Sequence, residues 1–206
     1  MEQESRLHGL RQALRFLVRF QSLAGLIVVI VLAVVFSPVR RGAIVFLNPD
    51  NLTDILRQIS EKGILAVGMT LVILSAGIDL SVGSILAYSA TLTAMMLRRW
   101  GWPIAPAILV VLLSSLLLGT VNGVVTAKTR IQPFIVTLAM MSAARGLAKL
   151  LSNNSNVEIG FGKEDSVARF METVSSKFFV IPAFLIVVIV VYLLLRKTRF
   201  GRYTIA

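Results

Sequence analysis

The chain has 206 residues, of which 56% are hydrophobic and only 15% charged, with a mean hydropathy of +0.84 and a net charge of +11. A soluble domain has about a quarter of its residues charged, so this composition excludes an ordinary water-soluble fold. The lack of cysteine excludes disulfides, thiol catalysis and cysteine metal sites, and bases clustered beside apolar blocks, with no aromatic interleaving, argue against a nucleic-acid partner.

Residues 5–19 carry Arg6, Arg11, Arg15 and Arg19, with Leu7, Leu10, Leu14 and Leu17 at three- and four-residue steps. This pattern predicts an amphipathic basic helix on the membrane surface. His8 lies in this polar tail and reads as a solvated histidine. The first span is expected near 20–36. A cleaved signal peptide is the competing reading, but Ser37-Pro38-Val39-Arg40 is a poor cleavage site. Residues 37–62 read as a polar connector with a short helix, capped by Asp50 or Asn51 and striped by Leu52, Ile55, Leu56 and Ile59.

Further spans are expected near 63–78, 80–97, 104–127, 131–151 and 178–195, each close to the length a bilayer demands. The second and third meet at Asp79. Arg98-Arg99-Trp100-Gly101-Trp102 reads as an interfacial anchor, and Lys128-Thr129-Arg130 as a tight basic turn. Residues 152–177 form an extracytoplasmic segment, with Val167, Phe170, Met171 and Val174 on one face of a short helix that Asp165 or Ser166 would cap. The fold expected is an all-α integral membrane protein of about six transmembrane helices, with short amphipathic helices outside the membrane, as one domain over 1–206. Basic flanks at both ends place both termini in the cytoplasm, although Arg40, Arg41, Arg98 and Arg99 then fall outside.

Asp79 is the only acid in any apolar run. An ionisable residue there is costly and points to a functional site. Gly77, Gly83 and Ser84 flank it and allow the helix to break. Two readings stand side by side. Asp79 and Ser81 cap the helix beginning near Leu80, or the irregular backbone lines a translocation path. Ser115, Gly119, Gly123 and Ala127 recur every fourth residue as a small-residue ridge, either for packing inside the bundle or for a homodimer face. Asn122 lies beside the ridge and needs a partner in the bundle or a wet cavity. Arg145 and Lys149, one turn apart, read as snorkelling to the outer interface, and the methionine pairs as bundle filler. Asn51-Leu52-Thr53 and Asn153-Asn154-Ser155 match short glycosylation sequons. There is no P-loop, metal-ligand cluster or nucleophile–base pair, so catalysis is not expected and any ATPase belongs to another polypeptide.

The stretch AVGMTLVILSAGIDLSVGS, Ala66 to Ser84, resembles the signature of membrane-spanning permease subunits of bacterial monosaccharide ABC importers of the ribose/xylose/galactose type. GTVNGVVTAKTRIQPFIVTLAMMSAARG, Gly119 to Gly146, and TRFGRYTIA at the end support it in the right order. The resemblance implies an inner-membrane sugar pathway formed with a second permease copy or related permease. It implies an extracytoplasmic sugar-binding protein docked on 37–62 and 152–177. It also implies cytoplasmic ATPase subunits that use ATP and Mg, with no cofactor bound by this chain. Gly77, Asp79, Ser81, Gly83, Ser84 and Asn122 are the substrate-pathway candidates. Permeases of this type continue past the Gly-Arg-Tyr-x-x-Ala motif of Gly201 to Ala206, so a fragment or a truncated product is expected. The alternatives are a secondary transporter or channel with Asp79 as an ion site at a broken helix, or a non-transporting membrane remnant.

Overall fold

The computed structural model describes residues 21–40, 43–157 and 166–205. The expected basic helix at 5–19, His8 and the Asp165 cap lie outside them. The chain divides into two compact units, residues 1–56 and 57–206.

In the first unit, helix α1 (Gln21–Val35) is followed by a two-residue antiparallel ribbon. Its strands are β1 (Val39–Arg40) and β2 (Ala43–Ile44), and a 3-10 turn at Val45–Leu47 follows. Ser37 Oγ accepts the Phe46 N–H at 2.9 Å, closing the ribbon. Helix α2 (Pro49–Leu74) then begins. Its cap is Asn48, not Asp50 or Asn51: Asn48 Oδ1 accepts the Asp50 N–H at 2.9 Å. Proline suits a first helical position, which explains a start at Pro49. The expected short connector helix and second span are thus one continuous 26-residue helix.

In the second unit, α2 ends at Leu74, residues 75–81 are irregular, and α3 (Val82–Ala94) runs into a five-residue π turn at Met95–Arg99. Then come α4 (Ile104–Thr129), α5 (Pro133–Ser152), α6 (Ser166–Val174), α7 (Lys177–Lys197) and α8 (Arg199–Ile205). The second and third expected spans therefore end and begin at Leu74 and Val82, with Asp79 in the gap between them. Among the described residues, α4, α5 and α7 are long and apolar enough to cross a membrane. The apolar part of α1, Gly25–Val35, is shorter.

The core gathers where α3 meets the start of α4. Leu92, Met96, Leu97, Ala107 and Val111 are buried together, flanked by Tyr88 and Ile104. Away from this core the helices expose what a soluble protein would bury: Leu112, Leu116 and Leu117 on α4 are each more than 60% exposed. Such surface belongs to lipid or to protein partners, and the molecule is an all-α, multi-pass membrane protein. Most hydroxyls in these helices bond their own backbone one turn back. Thr70 donates to Ala66 O, Thr91 to Ala87 O, Thr120 to Leu116 O and Thr129 to Val125 O, all at 2.7–2.9 Å. A hydroxyl satisfied in this way costs little in hydrocarbon. At the far end, α8 folds back on α7 so tightly that a Cβ on Gly201 would collide with the Leu195 carbonyl, which admits only glycine.

Candidate functional site

The break between α2 and α3 is built from backbone first. The Gly77 N–H donates to Val72 O and the Ala76 N–H to Ile73 O, both at 2.9 Å. This pair of bonds closes a Schellman cap. The left-handed residue of that cap is Ala76, with φ +57°, and not Gly77. A glycine is needed at 77 for another reason. A Cβ there would sit 3.1 Å from Val72 Cγ1, 3.2 Å from Val72 O and 3.8 Å from Pro133 of α5. Gly83, by contrast, has open space around it.

Beyond the cap, Thr137 of α5 stitches the irregular backbone. Its Oγ1 donates to Ile78 O at 3.1 Å and accepts the Leu80 N–H at 3.2 Å, and its side chain is buried. Asp79 Oδ1 accepts both the Ser81 N–H at 2.7 Å and the Ser81 hydroxyl at 2.6 Å. Asp79 thus closes an Asx turn onto Ser81, but the expected capping by Asp79 and Ser81 is not made: α3 starts at Val82, and its N-cap residue Ser81 gives no side-chain bond to the helix because its hydroxyl is turned to Asp79.

Ser81 is fully buried, and its Oγ also accepts Asn122 Nδ2 of α4 at 2.9 Å. One turn along α3, Ser84 is buried too, and its Oγ accepts Arg145 Nε of α5 at 3.1 Å. The hydroxyls that bond across elements are therefore concentrated around the start of α3, although Thr137 Oγ1 also lies 3.3 Å from Phe134 O of its own helix. Ser89 of α3 and Ser115 of α4 lie 2.7 Å apart, and with one proton each, one hydroxyl donates across to the other while its partner donates back to its own helix, at Ile85 O or Val111 O.

Of the six pathway candidates, five form or border this cluster: Gly77, Asp79, Ser81, Ser84 and Asn122. Two participants were missed. Thr137 lay unnoticed because a threonine in an apolar run usually bonds its own helix. Arg145 was read as reaching for the outer interface. Side chains on a helix lean toward its N-terminus, and α3 and α5 run in the same direction, since Leu80 and Ser84 meet Thr137 and Arg145 in that order. The guanidinium therefore leans back toward Ser84 of α3, with the end of α5 about two turns and 10 Å further on. Its Nη groups have no partner among the described residues.

The remaining expectations fall outside the cluster. Gly119 and Gly123 have nothing within 4 Å of a built Cβ, and Ala127 is exposed; of the ridge, only Ser115 touches α3. No group of three metal-ligating side chains occurs among the described residues. Asn153, from one of the sequons, is the left-handed cap of α5 at φ +52°.

One atom of the cluster is left over. Asn122 is 6% exposed, and its Oδ1 is buried with no hydrogen-bond partner. An orphaned acceptor of this kind costs about 1–3 kcal/mol. Asn122 lines a cavity of about 360 Å³ between α4 and α5, and it is the only polar side chain among the lining residues, which include Val125, Ile131, Val136 and Met140.

A family model described as branched-chain amino acid transport system / permease component matches residues 51–206, which hold the break and all of its partners. The chain is 38% identical over 194 residues to the Ribose import permease protein RbsC of Haemophilus influenzae, covering 93% of this chain and 58% of that protein. It is 36% identical over 197 residues to the RbsC protein of Escherichia coli K12, with the same coverage. It is 41% identical over 129 residues to the Xylose transport system permease protein XylH of that strain, covering 63% of this chain and 32% of XylH. The chain thus spans little more than half the length of the ribose permeases it matches. No solved structure gives a significant match. With three quarters of its length inside the family model and its helix break at the heart of that region, the chain belongs to the branched-chain amino acid transport system / permease component family.

Proposed function

We propose that this chain forms a membrane-spanning part of an ATP-binding-cassette importer that passes a monosaccharide of the ribose or xylose class across the bacterial inner membrane. The observation that carries this reading is the 36–41% identity to ribose and xylose permeases. The family description names amino acids, but the relatives of stated substrate are sugar permeases. The chemistry agrees. The cluster offers hydroxyls and an amide beside Asp79 and Arg145, groups able to bond the hydroxyls of a sugar.

In this reading the chain does no covalent chemistry. ATP and Mg are used by separate cytoplasmic ATPase subunits, an extracytoplasmic binding protein delivers the sugar, and a second permease copy or a related permease completes the pathway. Gly77, Asp79, Ser81, Gly83, Ser84 and Asn122 border the route, and both termini face the cytoplasm. The backbone break supports such a route, because non-helical backbone at membrane depth survives only where protein or water covers it.

The test is reconstitution of the full chain with the ATPase and sugar-binding protein of its own host in proteoliposomes. The expected result is uptake of labelled ribose or xylose that requires ATP and the binding protein, and persists when the proton gradient is collapsed. Uptake abolished by a protonophore and indifferent to ATP would overturn the reading in favour of a secondary transporter. Absence of transport with the complex fully assembled would overturn it outright.

A further inference from the structure

We infer that a cavity between α2, α3 and α7 holds one acyl chain of an anionic glycerophospholipid, whose phosphodiester is bound at the rim by Lys62. The site shares no residue with the helix-break cluster and is independent of which substrate is transported.

Two helices running side by side make the cavity. Arg57 Nη1 of α2 donates to Ser175 O, just before α7, at 3.2 Å. Further along both helices Gly63 lies against the ring of Phe184, where a Cβ would come within 2.6 Å of Cε2. The order of these contacts shows that α2 and α7 run in the same direction. Beside them is a cavity of about 510 Å³, walled by Ile64, Leu65, Leu86, Phe179, Val180 and Ala183. Glu61 and Lys62, both exposed, are its only polar lining residues.

Those two residues also mark the depth at which charge stops. α2 carries Asp54, Arg57, Glu61 and Lys62 in its first half and no charge from Gly63 to Leu74, and α7 carries none from Phe178 to Leu195. The rim therefore lies at the boundary between headgroups and hydrocarbon, and the apolar walls continue on the hydrocarbon side. Walls of this kind do not hold water, so hydrocarbon is what fills them. The charges select the headgroup. Glu61 is paired with Arg57 at 2.6 Å, which leaves no spare carboxylate for the ammonium of a zwitterionic lipid. Lys62 has no hydrogen bond or ion pair among the described residues. A lysine in this setting lays its stem along the apolar wall and extends its ammonium toward the headgroups, where a phosphate accepts a charge-assisted hydrogen bond. One unpaired cation above an apolar slot matches a lipid with one acyl chain in the slot and a net negative headgroup.

The test is native mass spectrometry of the full chain, purified in micelles and titrated with phosphatidylglycerol or phosphatidylcholine of identical acyl chains. The expected result is one retained phosphatidylglycerol per chain, with phosphatidylcholine retained about five-fold less, the worth of one lysine beside an anionic headgroup. Lys62→Gln brings the two lipids to equal retention. Ala183→Phe, which fills the slot, lowers retention of both several-fold. Lys149→Gln, at an exposed lysine near the end of α5, changes neither. Lys62→Gln alters only an exposed side chain and carries the test if Ala183→Phe fails to fold. A phosphatidylglycerol preference that survives Lys62→Gln overturns the inference, as does undiminished retention by folded Ala183→Phe. Equal retention of the two lipids by the unmodified chain, or retention of neither, overturns it too. A lipid-free dimer that Ala183→Phe splits overturns it in favour of a second copy of the chain on this face.

Discussion

The helix break at residues 75–81 and the small-residue ridge on α4 are two departures from ordinary apolar helix, and they end up in opposite states. At the break, polar atoms find partners within the chain: Val72 and Ile73 carbonyls by the Schellman cap, Ile78 O and Leu80 N–H by Thr137, Asp79 Oδ1 by Ser81. On the ridge, Gly119 and Gly123 face open space. The difference is physical. An unpaired peptide group in hydrocarbon is expensive and must find a partner locally, whereas a glycine surface costs little when bare and pays off only when another helix arrives.

The largest expected effect that sharpens this contrast is at Thr137. Thr137→Val removes both stitches at once and leaves the partly buried Leu80 N–H and Ile78 C=O without them. It should cost about 2 kcal/mol, read as a shift of the denaturation midpoint in micelles followed by the fluorescence of Trp100 and Trp102. Thr120→Val on α4 removes only a bond to its own helix, at Leu116 O, and should stay within about 0.5 kcal/mol. Equal losses at the two sites would break the contrast.

The glycines give a second comparison of intermediate size. Gly77→Ala puts a methyl group 3.1 Å from Val72 Cγ1 and 3.2 Å from Val72 O, and should destabilise by about 1–2 kcal/mol. Gly119→Ala meets nothing within 4 Å and should stabilise the isolated chain by up to about 1 kcal/mol through helix propensity. The smallest effect is at the cap. Ala76 holds φ +57°, a conformation that costs an L-residue about 1 kcal/mol, so Ala76→Gly should raise stability by somewhat less than that in the same denaturation assay.

Much of this was legible in the amino-acid sequence. Asp79 alone among the acids in apolar surroundings marks the break, and the flanking glycines announce it. Ser81 and Asn122 follow, because polar groups in spans need partners. What was not legible depends on register between helices. Nothing in the local pattern distinguishes Thr137, which bonds α3's entry, from Thr120, which bonds its own turn. Arg145 looks like any arginine near a membrane interface until the parallel alignment of α3 and α5 brings Ser84 within its reach. At the cap, the flanking glycines were expected to let the helix break, with no position assigned a left-handed turn. The chain places Ala76 there and keeps glycine for the contact with Val72 and Pro133, where bulk and not torsion is limiting. The connector helix was misread as separate from the second span because the charges at Asp54, Arg57, Glu61 and Lys62 disguised a helix that runs unbroken from Pro49.

The central claim is that the break forms a polar junction inside the membrane region, while the outer face of α4 meets lipid. The lack of native cysteine makes this directly measurable. Single cysteines at Asp79, Ser84, Leu116 and Leu117 would be challenged in intact membranes with a membrane-impermeant thiol reagent, with and without ribose. The account predicts labelling at 79 and 84 that ribose slows, and none at 116 and 117. Fast labelling at 116 and 117, with 79 and 84 inert whether or not sugar is present, would contradict it.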